Sequence, residues 1–527
     1  MTTTTDTWAC PTCGIANALT KARCADCGAR RVHQGAVLTP QATQPSHPAP
    51  RTSRSPRRPT GSRATDATRY LCAAVQQDSG LAARAIESVL EETHRGVASS
   101  PGIDLACVLR YALAARRRQT TAQVLLVLTV LCMLLALVML PVLLAPIALV
   151  AWAIVAGDEL STYYLVLKPR LSKGSFDPDN APRFGPDREQ LLKDLAAQDH
   201  QGNVVVFSGY EPFIGYGNRL DSWNLALPTD RPGEGFDRVL PFTVTELTER
   251  LAESVKALGV PGVEVSERLF VHGGDLRPEV NPLADRLLPD AYGRPVTTLP
   301  PAELARLRTD SSGRVRPYLV MTVSGWDGEV VLTTTLRLAF SPARDLLFVE
   351  GGTSLLPPVH HAYHRVDYLL DQPTARQLFS LIGTSLTHTP GALVGAVSAM
   401  VSGLVALLTG DRKDRAQRRE IAQHSFNYGA VLSLRESAGD PKFHRYFQNM
   451  DTQMFSKTVQ RRIMDRLADF LEAHQVDVSD LRESQNVIYN GGIFTSGNAK
   501  VSFTDSAVSA GAGGRLRAAF GGGSEHS

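Results

Sequence analysis

The chain has 527 residues, 43% of them hydrophobic and 20% charged, with a formal net charge of +3. That apolar content supports packed cores and excludes wholesale disorder, and the small net charge excludes a globally cationic wrapper of nucleic acid. Seven cysteines, none after Cys132, exclude a disulfide-built scaffold and confine cysteine chemistry to the N-terminal quarter.

The opening stretch MTTTTDTW has no charged segment leading into an apolar run, so no cleaved signal peptide is expected. Cys10-x2-Cys13 and Cys24-x2-Cys27 follow. Each pair suits a tight turn whose backbone N–H groups point at thiolate sulfur. Two such turns close a tetrahedral S4 shell around one Zn²⁺. Four protein ligands leave no open position, so Cys10, Cys13, Cys24 and Cys27 are expected to form a structural zinc site. A module this short buries little apolar surface, and metal ligation of about 10–16 kcal/mol would supply its folding energy.

The pattern Trp8-x-Cys10-x2-Cys13-x3-Asn17-x6-Cys24-x2-Cys27 resembles the Ran-binding-protein type of zinc finger over residues 6–30. The resemblance implies that Trp8 and Asn17 brace the fold, and that the finger binds single-stranded RNA or ubiquitin. Gly14 and Ile15 stand where ubiquitin-binding members carry Thr-Phe, which argues against ubiquitin. Lys21 and Arg23 keep loop charge, but Ala18 offers no stacking ring. A protein partner is therefore the leading expectation, with single-stranded RNA as the alternative.

Residues 33–66 hold six prolines and five arginines and almost no large apolar side chain after Leu38, so they read as a disordered basic tether. Residues 1–66 carry nine Lys/Arg against three Asp/Glu, so the rest of the chain is net acidic. A basic arm suits a polyanionic partner, or is simply a solvated linker. Residues 67–118 are expected to form short helices, with Cys72 and Cys107 as small core residues.

From Ala122 to Ala156 there is no charged residue. As one helix this run would be ~52 Å long, too long for one straight crossing of a ~30 Å hydrocarbon core. Pro141 and Pro146 sit near its centre, so a transmembrane helical hairpin over 122–156 is expected. A single kinked crossing and a buried soluble hairpin are the alternatives. Arg116, Arg117 and Arg118 precede it, and Lys168, Arg170 and Lys173 follow. Both flanks therefore qualify as cytoplasmic, which places the N-terminus in the cytoplasm and the protein in the membrane.

Residues 200–375 read as an α+β domain: strands at Asn203–Phe207 and Val263–Val271, an amphipathic helix at Thr243–Leu258, and an antiparallel meander. In the meander, Tyr318–Ser324 and Glu329–Phe340 are joined by Gly325-Trp326-Asp327-Gly328. Val330, Leu332, Thr334, Leu336, Leu338 and Phe340 alternate with polar partners, so one buried face is expected. Two places bear on chemistry. Ser208–Gly217 is rich in glycine and aromatics, but it lacks the third glycine of a dinucleotide loop and the Lys of a phosphate loop. His360, His364 and Asp367 would share a face of an α-helix and could hold a metal, although packed histidines are the favoured reading. No nucleophile has an assigned base.

Gly391–Leu408 is a second apolar stretch with Gly391, Gly395, Ala399 and Gly403 four apart, suited either to helix packing in lipid or to a soluble core. Residues 411–480 are expected to be helical, with Phe455, Val459, Ile463, Leu467 and Leu471 on one face and Asp451 as N-cap. Residues 484–527 read as short β turns and a disordered tail.

The expected whole is a multi-domain membrane protein: a small N-terminal zinc ribbon, a transmembrane helical hairpin, an α+β domain with an antiparallel meander, and a C-terminal helix. It reads as a non-enzymatic scaffold whose zinc finger recruits a cytoplasmic partner. The rivals are a membrane-bound hydrolase or ligand-binding protein using 200–375, and an RNA-binding membrane tether.

Overall fold

Strands β1 (Thr7–Ala9) and β2 (Ala16–Ala18) pair antiparallel, and Trp8 stands opposite Asn17. The computed structural model describes residues 7–9, 16–18, 65–309, 313–369, 374–483 and 485. Residues 1–61 form one unit and residues 62–527 a second. Cys10, Cys13, Cys24 and Cys27, the 33–64 part of the tether, and the expected β turns after Val487 lie outside the described residues.

The second unit opens with α1 (Asp66–Gln77), α2 (Ser79–Ile86) and α3 (Leu105–Met139). Thr65, Asp78 and Asp104 cap them, each side chain accepting from a first-turn N–H. The chain turns at Leu140–Leu143, where Pro141 cannot donate to a continuing helix, and returns through α4 (Leu144–Ser161). The apolar run is thus a helical hairpin. Its first arm is continuous with the helix of residues 105–118. A π-turn (Thr162–Leu167), the short α5 (Lys168–Leu171) and α6 (Pro186–Gln201) bring the chain to the sheet.

The sheet has six strands. They are β3 (Val204–Phe207), β4 (Asn218–Pro228), β5 (Val263–His272), β6 (Val315–Gly325), β7 (Val330–Phe340) and β8 (Leu346–Leu356). Their order is β3-β5-β6-β7-β8-β4, with β3 parallel to β5 and every other pairing antiparallel. Between β4 and β5 lies α7 (Val244–Lys256), capped by Thr243; between β5 and β6 lie the short α8 (Ala284–Leu287) and α9 (Pro301–Leu307). After the sheet come α10 (Ala375–Ala422), α11 (Leu434–Ser437) and α12 (Tyr446–Ala473).

One sheet face packs on α7 and α12: Leu332, Leu336 and Leu338 of β7 meet Leu247 and Leu251 from one helix and Val459, Ile463 and Leu467 from the other. Contrary to the single buried face expected for β7, Val331, Thr333 and Thr335 on its other side are buried as well. Further along that side, Phe213 and Tyr216 pack on Phe270, Tyr318 and Val320. The glycine-aromatic loop is therefore a packing element. Gly217 sits at φ +88°, and a Cβ there would lie 2.1 Å from the carbonyl oxygen of Leu355, so the position requires glycine.

Candidate functional site

Two places in the second unit are built for more than packing. The first is the hairpin. Leu125, Leu128, Leu131, Leu134, Leu135 and Val138 of α3 are each 46–77% exposed to solvent. Most of the apolar residues of α3 and of the Pro141–Leu171 run are not buried. Contiguous apolar surface on this scale marks contact with a membrane or another protein. Among the described residues, three helical stretches, Leu105–Met139, Pro141–Leu171 and Leu378–Val405, are long and apolar enough to cross a membrane. At the hairpin base Arg118 donates to Asp158 at 3.1 Å and to the Gln76 side chain at 2.7 Å, tying both arms to α1. Leu126, Ala151, Val155 and Ala396 pack together, so α10 rests against both arms. Trp152 Nε1 donates to Ser385 Oγ at 3.1 Å. The small-residue ridge is not the docking face: a Cβ added at Gly391, Gly395 or Gly403 would meet nothing within 4 Å.

The second place is a histidine cluster. The turn Gly325–Gly328 joins β6 to β7 with Trp326, Asp327 and Gly328 all at positive φ. Asp327 accepts from the backbone N–H of Asp66 at 3.0 Å, which pins the turn against α1 and aims Glu329 inward. Pro357-Pro358 ends β8. Residues 358–360 are then clamped on 438–440, with His360 N–H donating to Ala438 O at 2.9 Å and Asp440 N–H to Pro358 O at 2.7 Å. This brings the 3₁₀ helix His361–Tyr368 beside His444, which lies just ahead of α12. One donor atom each from Glu329, His364 and His444 lies within 4.8 Å of the others. His361 stacks parallel on His364 at 5.8 Å between centroids and lies 5.2 Å from His444.

Both imidazoles have a fixed tautomer. His364 Nε2 lies 3.1 Å from Val359 O, a pure acceptor, so this nitrogen carries the proton. His444 Nε2 lies 3.2 Å from Asp440 Oδ2 and donates likewise. The Nδ1 lone pair is left on each ring, and His444 Nδ1 is buried with no hydrogen-bond partner. Gln448 bridges the group: its Nε2 donates to Glu329 at 3.1 Å, and its Oε1 accepts from His444 N–H at 3.1 Å. Burial holds His364 down to about 4, so it is neutral near neutral pH. Burial pushes Glu329 up, opposed by Gln448 and the charge of Arg445. For Asp440, burial acts upward, but the Lys442 N–H and His444 bonds prevail and its carboxyl is lowered.

Of the sequence-selected residues, only His364 belongs to this cluster. The α-helical face of His360, His364 and Asp367 does not form. His360 Nδ1 accepts from Ala362 N–H at 3.2 Å, and Asp367 binds Arg69 and Tyr70 at 2.5 Å each. The glycine loop offers no phosphate cradle, because the N–H groups of Gly215 and Gly217 are taken by Glu436 at 2.7 and 2.8 Å. Glu329 and His444 have no local motif in the sequence; the only signal was Asp440 four residues before His444.

A family model described as the AbeC-like domain matches residues 222–502, just over half of the chain. The match contains Glu329, His364 and His444 and excludes both hairpin arms. No curated protein and no solved structure matches the chain.

Proposed function

The chain belongs to the AbeC-like domain family, and we propose that this member is a bilayer-anchored interaction protein. The α3–α4 hairpin sits in the membrane, the body lies on its cytoplasmic face, and a zinc ribbon on a basic tether recruits a cytoplasmic protein. The observation that carries the anchoring is the exposed apolar surface of the two arms, which water would not tolerate on a free monomer. From Ala122 to Met139 the first arm is ~27 Å long, close to one ~30 Å hydrocarbon thickness, whereas from Leu144 to Gly157 the second is ~21 Å and requires the bilayer to thin locally around it. Arg116–Arg118 at one base and Lys168, Arg170 and Lys173 beyond the other favour the cytoplasmic side for both. The ribbon reading is supported by the facing pair Trp8 and Asn17, with Cys10 and Cys13 in the connection between their strands.

The test is a cysteine at exposed Glu234 in a Cys132→Ala background. A membrane-impermeant thiol reagent should leave Glu234→Cys unmodified in intact cells and label it after lysis. Labelling in intact cells overturns the orientation. For the ribbon, Cys24→Ser should remove about one zinc per chain under reducing conditions. Unchanged zinc content would remove the finger from the proposal.

A further inference from the structure

We propose that Glu329, His364 and His444 ligate a divalent first-row transition metal, zinc foremost, at a site in the body separate from the N-terminal cysteines. Two imidazole nitrogens and one carboxylate oxygen form a donor set suited to Zn²⁺ and its neighbours and poorly suited to Mg²⁺ or Ca²⁺. The three residues come from a strand start, a 3₁₀ helix and a helix approach, far apart in sequence, and converge with donors within 4.8 Å. Metal bonds of ~2.0–2.2 Å would draw those donors to roughly 3.4 Å apart, a closure of about an ångström.

The supporting contacts are what a metal site requires. Each proposed ligand has a second hydrogen-bond partner: Asp440 on His444 Nε2, the Val359 carbonyl on His364 Nε2, and Gln448 on Glu329. A carboxylate behind a ligating imidazole fixes its tautomer and raises its basicity. The His444 side chain is 11% exposed, and its Nδ1 has no partner. An orphaned buried acceptor is destabilising, and a metal ion satisfies it. The ion would also neutralise the Glu329 carboxylate, which is 9% exposed and lacks a Lys or Arg ion pair among the described contacts. Three protein ligands leave a fourth position for water, the arrangement of reactive rather than purely structural zinc.

The test uses the full chain in detergent with Cys10, Cys13, Cys24 and Cys27 all changed to Ser, so that the ribbon contributes no metal. This variant, stripped with chelator and reloaded with Zn²⁺, should retain about one zinc per chain after dialysis. His364→Ala or His444→Ala in the same background should abolish it. The isosteric Glu329→Gln should weaken it with the circular-dichroism spectrum unchanged. Asp440→Asn should weaken zinc by about 10–100-fold while leaving the three ligands in place. Loading with Co²⁺ should give ligand-field bands without thiolate charge transfer. A well-folded four-serine variant that holds no metal overturns the proposal, as does full retention of zinc by both histidine variants. Neither result touches the membrane reading, whose failure is seen in labelling alone.

Discussion

Asp367 is spent on structure. Its two oxygens take the Arg69 guanidinium at 2.5 and 3.2 Å, and Tyr70 OH donates to it at 2.5 Å. Arg69 is only 1% exposed, so its charge depends on Asp367, Asp66 and the Leu171 carbonyl. Asp367→Asn should cost about 1.5–3 kcal/mol, the range for a hydrogen bond to a charged group. Burial acts to raise the Asp367 carboxyl, but the Arg69 and Tyr70 bonds prevail and lower it. A lowered carboxyl contributes stability above its unfolded value, and that contribution is lost as pH falls through the folded value. Thermal unfolding in detergent should therefore show the wild type losing its advantage over Asp367→Asn below about pH 4. A constant difference down to pH 2 would remove the assigned role. The same segment shows why the cluster was only partly legible. The α-helical period pairs His360 with His364, whereas the observed 3₁₀ helix has three residues per turn and stacks His361 on His364. Pro357-Pro358 and the clamp on 438–440 select that tighter turn, and tertiary contacts of this kind leave no trace in local spacing.

Single elements were more legible where one physical cause dominated. The uncharged run with Pro141 at its centre marks the helical hairpin, and the Gly325–Gly328 turn marks the β-hairpin, whereas Pro146 is accommodated in the first turn of α4. Strand β4 was missed: Asn218–Pro228 alternates weakly, carries a register shift between Arg219 and Asp221, and ends at Pro228 on the sheet edge. Helix α12 shows its expected face at Val459, Ile463, Leu467 and Leu471, but it starts earlier than Asp451. Gln448 Oε1 caps it by accepting from the Arg445 backbone N–H at 3.2 Å, while Asp451 instead accepts from Trp326 Nε1 at 3.0 Å. For the hairpin, the membrane reading makes a sharp demand on Leu131, which is 55% exposed in α3. On a water-facing helix Leu131→Lys would be nearly neutral. In a bilayer, lysine near the helix centre costs ~2.5–3.5 kcal/mol of insertion free energy. The variant should shift a large fraction of the protein from the carbonate-resistant membrane pellet to the soluble or degraded pool. Unchanged fractionation would count against insertion of α3.

At the scale of the whole molecule, the hydrophobic cores decide what the apolar helices can do. One core holds Leu71 and Leu109 from before the hairpin tip, Leu167 from after it, and Leu434 from beyond α10. A second joins Leu227 and Leu332 to Val459 and Leu467, again on either side of α10. Residues that share a core lie on one side of a bilayer. On the proposed membrane reading, the chain must therefore cross an even number of times between them, which gives two crossings for the paired arms of the hairpin and none for the lone helix α10. Although Leu378–Val405 is long and apolar enough to span, α10 begins and ends at the body. Lys168 Nζ donates to Leu369 O at 2.7 Å just before it, and Gln417 donates to Glu92 at 3.2 Å near its end. Ser385, Thr389 and Ala396 are buried along its length, while Phe379, Leu386, Val394, Val401 and Val405 form an exposed apolar stripe. If the hairpin is inserted as proposed, this pattern suits a helix lying along the membrane surface, apolar side toward the acyl chains. Cysteines at Glu234 and at exposed Ser479, one on each side of α10 in sequence, should therefore show the same accessibility to an impermeant thiol reagent, in intact cells and in inverted vesicles alike. Opposite labelling of the two would mean that α10 crosses, and would require the body to come apart at the very core that joins its halves.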